Sequence, residues 1–323
     1  MKFAIIGAGH IAHKFAEALH ATHGQPYAIA SRSMTKAKNF QKQHDFETAY
    51  GSYKEMLEDE NVDVVYVATP HSFHYEHILL SLEHGKHVIC EKPLTLNARQ
   101  AKTVFHHAKK KKLFVMEAMW TRVLPAIKEV NHVINEGTIG DIRHIEADFC
   151  LIGDTEEVPR LTDPNLGGGA LLDIGIYPIM LTHLFLGKPD TIDADTEFDK
   201  NTGVDLDETF VFSYPGNVRA ELRASFVEDR NVNATITGSE GKIIIPDFPD
   251  ATEAFVYDGN RCLTKKIHHA HRQNGFEYEI DEVIKSIESG QMESGMITHQ
   301  STLERLDIMD DIREGWNLIY PQE

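Results

Sequence analysis

Residues 62–68 read VDVVYVA, apolar throughout except for Asp63. A strand with apolar side chains on both faces must be covered on both faces, which restricts it to a parallel sheet held between helices. The neighbouring segments keep to that plan. Strand-like runs at 2–6 (KFAII), 27–31 (YAIAS), 87–90 (HVIC) and 113–117 (LFVME) alternate with helical patterns at about 35–44, 72–84 and 97–110. A helix with Phe15, Ala18 and Leu19 on one face follows the first strand. Such alternation predicts an α/β fold with a doubly wound parallel sheet, whose ligands sit beyond the carboxyl ends of the strands.

Past residue 190 the period becomes two. In VRAELRASF, Val218, Ala220, Leu222, Ala224 and Phe226 alternate with Arg219, Glu221, Arg223 and Ser225, and NVNATITG, GKIIIP and EAFVYDG add strands. An open, mostly antiparallel sheet with one face on helices follows from this pattern. Its other face is half polar and must stay wet or pair with a second copy, so a homodimer is expected. A helix is expected from 125 to about 136, and a helical tail, acidic on its exposed side, from about 275 to 318. The break near residue 120 predicts two domains, 1–120 and 121–323.

Charge and cysteine usage narrow the partners. With a net charge of −18, nucleic acid and anionic membrane are not expected partners. The basic run at 109–112 reads as a solvated helix end. No run of about 18 apolar residues stands out, and the first strand begins at Lys2, so neither a membrane span nor a signal peptide is expected. Cys90, Cys150 and Cys262 lie far apart without a CxxC pair, which argues for a reducing cytoplasm and against a structural zinc site.

The segment GAGHIA follows the first strand and opens a helix, the context in which GxGxx[GA] marks a dinucleotide site. Gly7 permits the tight turn, Gly9 the approach of a pyrophosphate to backbone, and Ala12 close helix–strand packing, with His10 and Ile11 in the same loop. An NAD site offers Asp or Glu at the end of the second strand. Here the chain reads ASRSMTK, and Ser31, Arg32 and Lys36 suit a 2′-phosphate instead. NADP(H) is therefore expected over NAD(H); the lesser alternative is that Arg32 and Lys36 are ordinary exposed charges.

The fourth strand empties into ICEKPLTLN, placing Glu91 and Lys92 at its carboxyl end. Hydride exchange between an alcohol and nicotinamide needs a group that takes the hydroxyl proton, which an amine tuned by burial and a neighbouring carboxylate can do. A rim ion pair of Glu91 with Lys92 is the plainer alternative. In GGGALLDIGIYPIML, a flexible glycine approach leads into a helical run at 170–184, where Asp173 and Tyr177 share one face. The three make a proton-handling set: Lys92 and Tyr177 on the hydroxyl, Asp173 orienting Lys92. Against this, the Tyr177 ring can be core packing.

GAGHIA, VATPHSFHYEH, GKHVICEKP and GGGALLDIGIYPI together resemble the Gfo/Idh/MocA family of glucose-fructose oxidoreductases and inositol dehydrogenases, over essentially the whole chain. EAMWTRVLP is similar, more narrowly, to the branch of dimeric dihydrodiol dehydrogenases and NADP-dependent pentose (xylose) dehydrogenases. The resemblance implies a Rossmann domain followed by a sheet domain often paired in a dimer, with Lys92 catalytic and Asp173 and Tyr177 in the pocket. It also sets the loop holding Thr69, Pro70, His71 and His74 against the cofactor and gives Trp120 and Phe149 as pocket walls. Arg122 and Arg160 become hydroxyl binders by the same analogy. Many sugar-oxidising members carry His where this chain has Tyr177, which favours a diol, sugar or polyol substrate of the dihydrodiol branch over inositol. His71, His74 and His77 recur every three residues, a spacing that drifts round a helix, and no metal is expected. Two other functions remain on the same scaffold: a non-catalytic dinucleotide sensor, and a lyase or glycosidase that retains its cofactor.

Overall fold

The computed structural model describes residues 1–153 and 158–323. The chain packs as two compact units: Met1–Trp120 with His271–Leu303, and Thr121–Ala270 with Glu304–Glu323. The first unit runs β1 (Lys2–Ile6), α1 (His10–Leu19), β2 (Gln25–Ala30), α2 (Met34–Gln43), β3 (Thr48–Tyr50), α3 (Tyr53–Leu57), β4 (Val64–Val67), α4 (His74–Glu83), β5 (His87–Glu91), α5 (Ala98–Lys111) and β6 (Val115–Ala118). Its strands are parallel in the order β3-β2-β1-β4-β5-β6. The order reverses between β1 and β4, the switch point where such sheets bind ligands. Every residue of β4 is fully buried, which is the double coverage its composition demands. Ser33, Ser52 and Asn97 start α2, α3 and α5 by accepting the amides of Lys36, Glu55 and Gln100. The basic run closes α5, where Lys109, Lys110 and Lys111 meet the negative end of the helix dipole.

The segment 271–303, which the sequence pattern leaves with the second half, packs with the first. Its helix α8 (Glu277–Glu288) lies on α1. The entry into α8 is built on one carboxylate. Glu277 is fully buried, and its oxygens accept the backbone amides of Arg272 (2.8 Å), Gln273 (3.2 Å), Asn274 (3.2 Å) and Gly275 (2.8 Å).

The second unit holds α6 (Pro125–Asn135), β7 (Ile142–Cys150), α7 (Ile176–Leu186), β8 (Thr191–Phe198), β9 (Asp205–Tyr214), β10 (Val218–Ser225), β11 (Asn233–Gly238), β12 (Gly241–Pro246), β13 (Glu253–Asp258) and β14 (Leu263–His268). They form one sheet in the order β14-β13-β12-β11-β7-β10-β9-β8, antiparallel except where β10 meets β7. Alternation places Ala220, Leu222 and Ala224 inward, under α7. The helix α9 (His299–Trp316) ends in this unit, with Trp316 Nε1 donating to Ala194 O at 3.0 Å.

Two expectations change here. The stretch Pro164–Leu186, 23 residues, does have the length and composition of a membrane span, with a mean hydropathy of 1.5 over its most apolar window; 72% of that window is buried inside the protein, as in a core helix. The run at 170–184 is also not a uniform α-helix. It opens with a π turn over Leu171–Gly175, closed by the amide of Ile176 on Leu171 O, and continues as α7. Pro178 lacks an N–H and its ring crowds the carbonyl four residues back, that of Ile174 within the π turn.

Glu277→Ala leaves four backbone donors without their acceptor, that of Gly275 buried, and should destabilise the first unit by about 1–3 kcal/mol in denaturant titrations at pH 7. Its amide partners hold the Glu277 carboxyl below the usual range although burial opposes them. That contribution is present above the unfolded carboxyl pKa and lost as pH falls through the lower folded value, so the gap between variant and wild type should shrink below about pH 4.

Candidate active site

The carboxyl ends of the parallel strands gather the residues expected to meet a dinucleotide. Gly7 has φ +99°, and a Cβ there would stand 2.8 Å from Ala68 O, so the turn after β1 admits no side chain. Gly9 caps α1 without a side-chain hydrogen bond. The first amides of a ten-residue helix, those of His10 and Ile11 among them, thus have no capping side chain on them, and Ala12 is fully buried behind them. A bare helix N-terminus under a Cβ-free turn fits a pyrophosphate. Ser31 is buried at the end of β2, and its hydroxyl accepts the Ser33 amide at 3.3 Å. Arg32 and Lys36 are exposed, and no acid stands among residues 31–38. The Arg32 guanidinium acts on the rings of Tyr53 and His77, which meet edge to face at 4.9 Å.

The loop after β4 is held by its histidines. His74, fully buried, sets Nδ1 2.8 Å from Pro93 O and Nε2 2.8 Å from Thr69 O. Burial takes its ring down to about 4, and those two carbonyls pull the other way. His71 stacks edge to face on it at 5.7 Å. His77 Nδ1 lies 3.0 Å from Thr69 Oγ1, and burial lowers this ring to about 4 as well, with Arg32 adding to it. Of the i, i+3, i+6 histidines, His74 thus holds backbone, His77 the Thr69 hydroxyl, and His71 packs on the His74 ring. Among the described residues no group of three His, Cys, Asp or Glu side chains is set to hold a metal ion.

The Lys92–Pro93 peptide is cis, and Pro93, Leu94 and the residues on to Ala98 are buried. Lys92 itself is half-buried. The turn is tied on both sides, by His74 at Pro93 O and by Glu117 Oε1, which accepts the Leu94 amide at 3.0 Å. Glu117 Oε2 takes the Thr302 hydroxyl at 3.1 Å. Glu91, buried, accepts the hydroxyl of Tyr66, whose ring stacks on Phe15 at 3.7 Å. Behind them lies Glu279 of α8, fully buried, neither oxygen meeting a hydrogen-bond partner. Burial, and then the Glu91 charge, hold its carboxyl well above the usual range, so Glu279 is a neutral acid. Sequence reading missed Tyr66 and Glu279; the signal was an acid at an inward position of an amphipathic helix. In this same unit the Trp120 ring packs at a tilt against that of Phe276, centroids 4.9 Å apart.

The other expected residues belong to the second unit. Asp173 sits within the π turn, half-buried, with Arg160 Nη2 3.4 Å from its Oδ2. Tyr177 is buried one residue into α7, its ring 5.4 Å from that of Phe149 on β7. The Arg122 guanidinium acts electrostatically on His183 of α7. The glycine approach is packed rather than flexible: the amides of Gly168 and Gly169 donate to Asp163 O (3.0 Å) and Leu161 O (2.8 Å). Two fully buried acids of β9, Asp205 and Glu208, lie under it and were also missed.

Residues 1–119 match the model of an oxidoreductase family with an NAD-binding Rossmann fold, and residues 127–244 that of the GFO/IDH/MocA C-terminal domain. Among curated proteins, the trans-1,2-dihydrobenzene-1,2-diol dehydrogenase of Xenopus tropicalis is 34% identical over 330 residues, 99% of each chain. The human enzyme of that name is 32% identical over 333 residues, 100% of this chain and 99% of its own. Among solved structures, the 3-ketoreductase KijD10 of Actinomadura kijaniata, in complex with NADP and TDP-benzene, superposes with a TM-score of 0.87 at 28% identity, covering 98% of this chain and 97% of its own. Levoglucosan dehydrogenase, at 20% identity and a TM-score of 0.85 over 97% and 96%, shares the fold. The chain belongs to the Gfo/Idh/MocA family and is an NAD(P)-binding dehydrogenase acting on CH–OH groups.

Proposed function

We propose that the chain is an NADP(H)-preferring dehydrogenase of vicinal diols, with sugars and polyols as the wider substrate class. The observation that carries the reading is the Glu91–Lys92–Pro93 turn, an amine beside a buried carboxylate at the carboxyl end of β5. Nicotinamide, when bound, supplies the hydride acceptor or donor. Lys92 and Tyr177 handle the hydroxyl proton as the carbinol carbon is oxidised, and Asp173 orients the amine. Trp120, Arg122 and Phe149 border the substrate. The names of the relatives, which act on a cyclic trans-diol, support the substrate class. The NADP complex of the 3-ketoreductase, with Ser31, Arg32 and Lys36 and no acid after β2, supports the cofactor.

Two copies are expected to pair through the open face of the second sheet. Val211, Ile244, Phe255 and Tyr257 are half-exposed there, among Arg219, Glu221 and Lys242. Cys90, Cys150 and Cys262 are separate thiols, which fits a cytoplasmic protein.

For the wild type, kcat/KM with NADPH should exceed that with NADH, and Arg32→Ala should cut the NADPH value about 10- to 100-fold with little change for NADH. A wild-type ratio below one removes the NADP assignment. Absorbance at 340 nm with NADP⁺ and a panel of cyclic trans-diols, aldoses and polyols tests the reaction; tight NADPH binding without turnover on any of them would point to a sensor. Lys92→Met should lower kcat about 10²- to 10⁴-fold, and near wild-type kcat in that variant would end the lysine-centred mechanism. Comparison with Tyr177→Phe assigns the proton donor. Light scattering at micromolar concentration should give twice the 36.5 kDa chain mass.

A further inference from the structure

Along β9 the side chains of Phe210, Phe212 and Tyr214 face inward, and Glu208 takes the next inward position, fully buried. Asp205, fully buried as well, stands where the pairing of β8 with β9 shifts register, at Phe198. Two carboxyls thus enter an apolar layer directly beneath residues 169–175. Asp205 Oδ2 accepts the amide of Leu171 at 2.6 Å, the first residue of the π turn. A Cβ on Gly169, whose φ is +118°, would stand 2.3 Å from Asp205 Oδ1, and one on Gly175 would stand 2.8 Å from Glu208 Oε2. The carboxyls therefore press on both ends of the turn, against positions with no side chain. The Tyr320 hydroxyl donates to Gly168 O at 2.7 Å, and the Asp205 and Glu208 carboxyls act on that same hydroxyl.

Oδ1 of Asp205 makes no hydrogen bond with a described group, and Glu208 faces only the Asp205 carboxyl and the Leu171 amide that Asp205 already holds. Two buried carboxyls in contact do not both ionise. Burial, and then the Asp205 charge, push Glu208 far above the carboxylate range, and a proton on Glu208 is what the pair has to share. Such a pair adds little stability compared with apolar side chains of equal volume. What it does locally is hold one backbone amide and fix the pitch of the turn carrying Asp173, with Tyr177 two residues past its end.

We propose that Asp205 and Glu208 are positioning residues for Asp173 and Tyr177, acting through the Leu171 amide and the Gly169 and Gly175 backbone. The inference rests on the reading of Asp173 and Tyr177 as reaction residues. Glu208→Gln keeps the shape and gives Asp205 a permanent donor; Glu208→Met keeps only the volume. With NADP⁺ and a cyclic trans-diol, Glu208→Gln should retain kcat within twofold. Glu208→Met should lose about 10- to 100-fold in kcat, with an unchanged Kd for NADPH and a Tm equal to or above wild type. Activity lost without stability, and restored by the amide, is what a merely structural acid would not show. Wild-type kcat in Glu208→Met, or equal losses in Met and Gln, overturns the proposal. Should Glu208→Met not fold, Gly175→Ala takes its place: it crowds Glu208 Oε2 and should cut kcat at least fivefold, and an unchanged kcat overturns the proposal equally. Failure of the underlying reading looks different. It shows as full activity in Asp173→Asn and Tyr177→Phe, or as a wild-type chain without NADP(H)-linked turnover.

Discussion

A carboxylate taken out of water costs several kcal/mol unless its charge is answered, and both units of this chain are arranged around buried ones. Two solutions occur. Glu277 meets four backbone amides, Glu117 an amide and a hydroxyl, and the half-buried Asp59 the hydroxyls of Tyr27 and Tyr50, each at 2.7 Å. These acids staple loops. Glu279 beside Glu91, and Glu208 beside Asp205, have too few donors, and there a proton neutralises one member of each pair. The first kind fixes chain path. The second kind lies behind Lys92 in one unit and behind Asp173 in the other.

The turn bearing Lys92 shows what such fixing accomplishes. From Glu91 to Ala98 every residue is buried except Lys92, and the backbone on either side is tied to His74 and Glu117. A side chain carried on so anchored a backbone has less orientational freedom to lose than one on a loose loop.

Much of this was legible. The strands around VDVVYVA, the Gly7–Ala12 loop, the EKP turn and the alternation in β10 announce themselves because each rests on local pattern: continuous apolarity, glycine before a helix, period two. The short β3 and α3 were missed, since three residues of strand carry almost no periodic signal. The return of 271–303 to the first unit was missed because nothing in an amphipathic helix such as α8 states which surface it will cover. The π turn was missed because Asp173 and Tyr177 project from nearly one face whether the turn holds an extra residue or not. Asp205 and Glu208 left a signal that went unread. Glu208 continues the inward parity of Phe210, Phe212 and Tyr214, and an acid on that parity is an acid in the core.

The glycines of the second motif show how such a signal can be used. Read alone, GGGALLDIG suggests a loose approach to a helix. In the fold, Gly169 and Gly175 leave room for carboxyls arriving from β9, some 30 residues later in the chain. Gly7 does the same for the carbonyl of Ala68. In each case a polar group from elsewhere occupies the space that a side chain would need. An inward acid and a distant glycine are then two halves of one constraint, neither interpretable until the sheet brings them together.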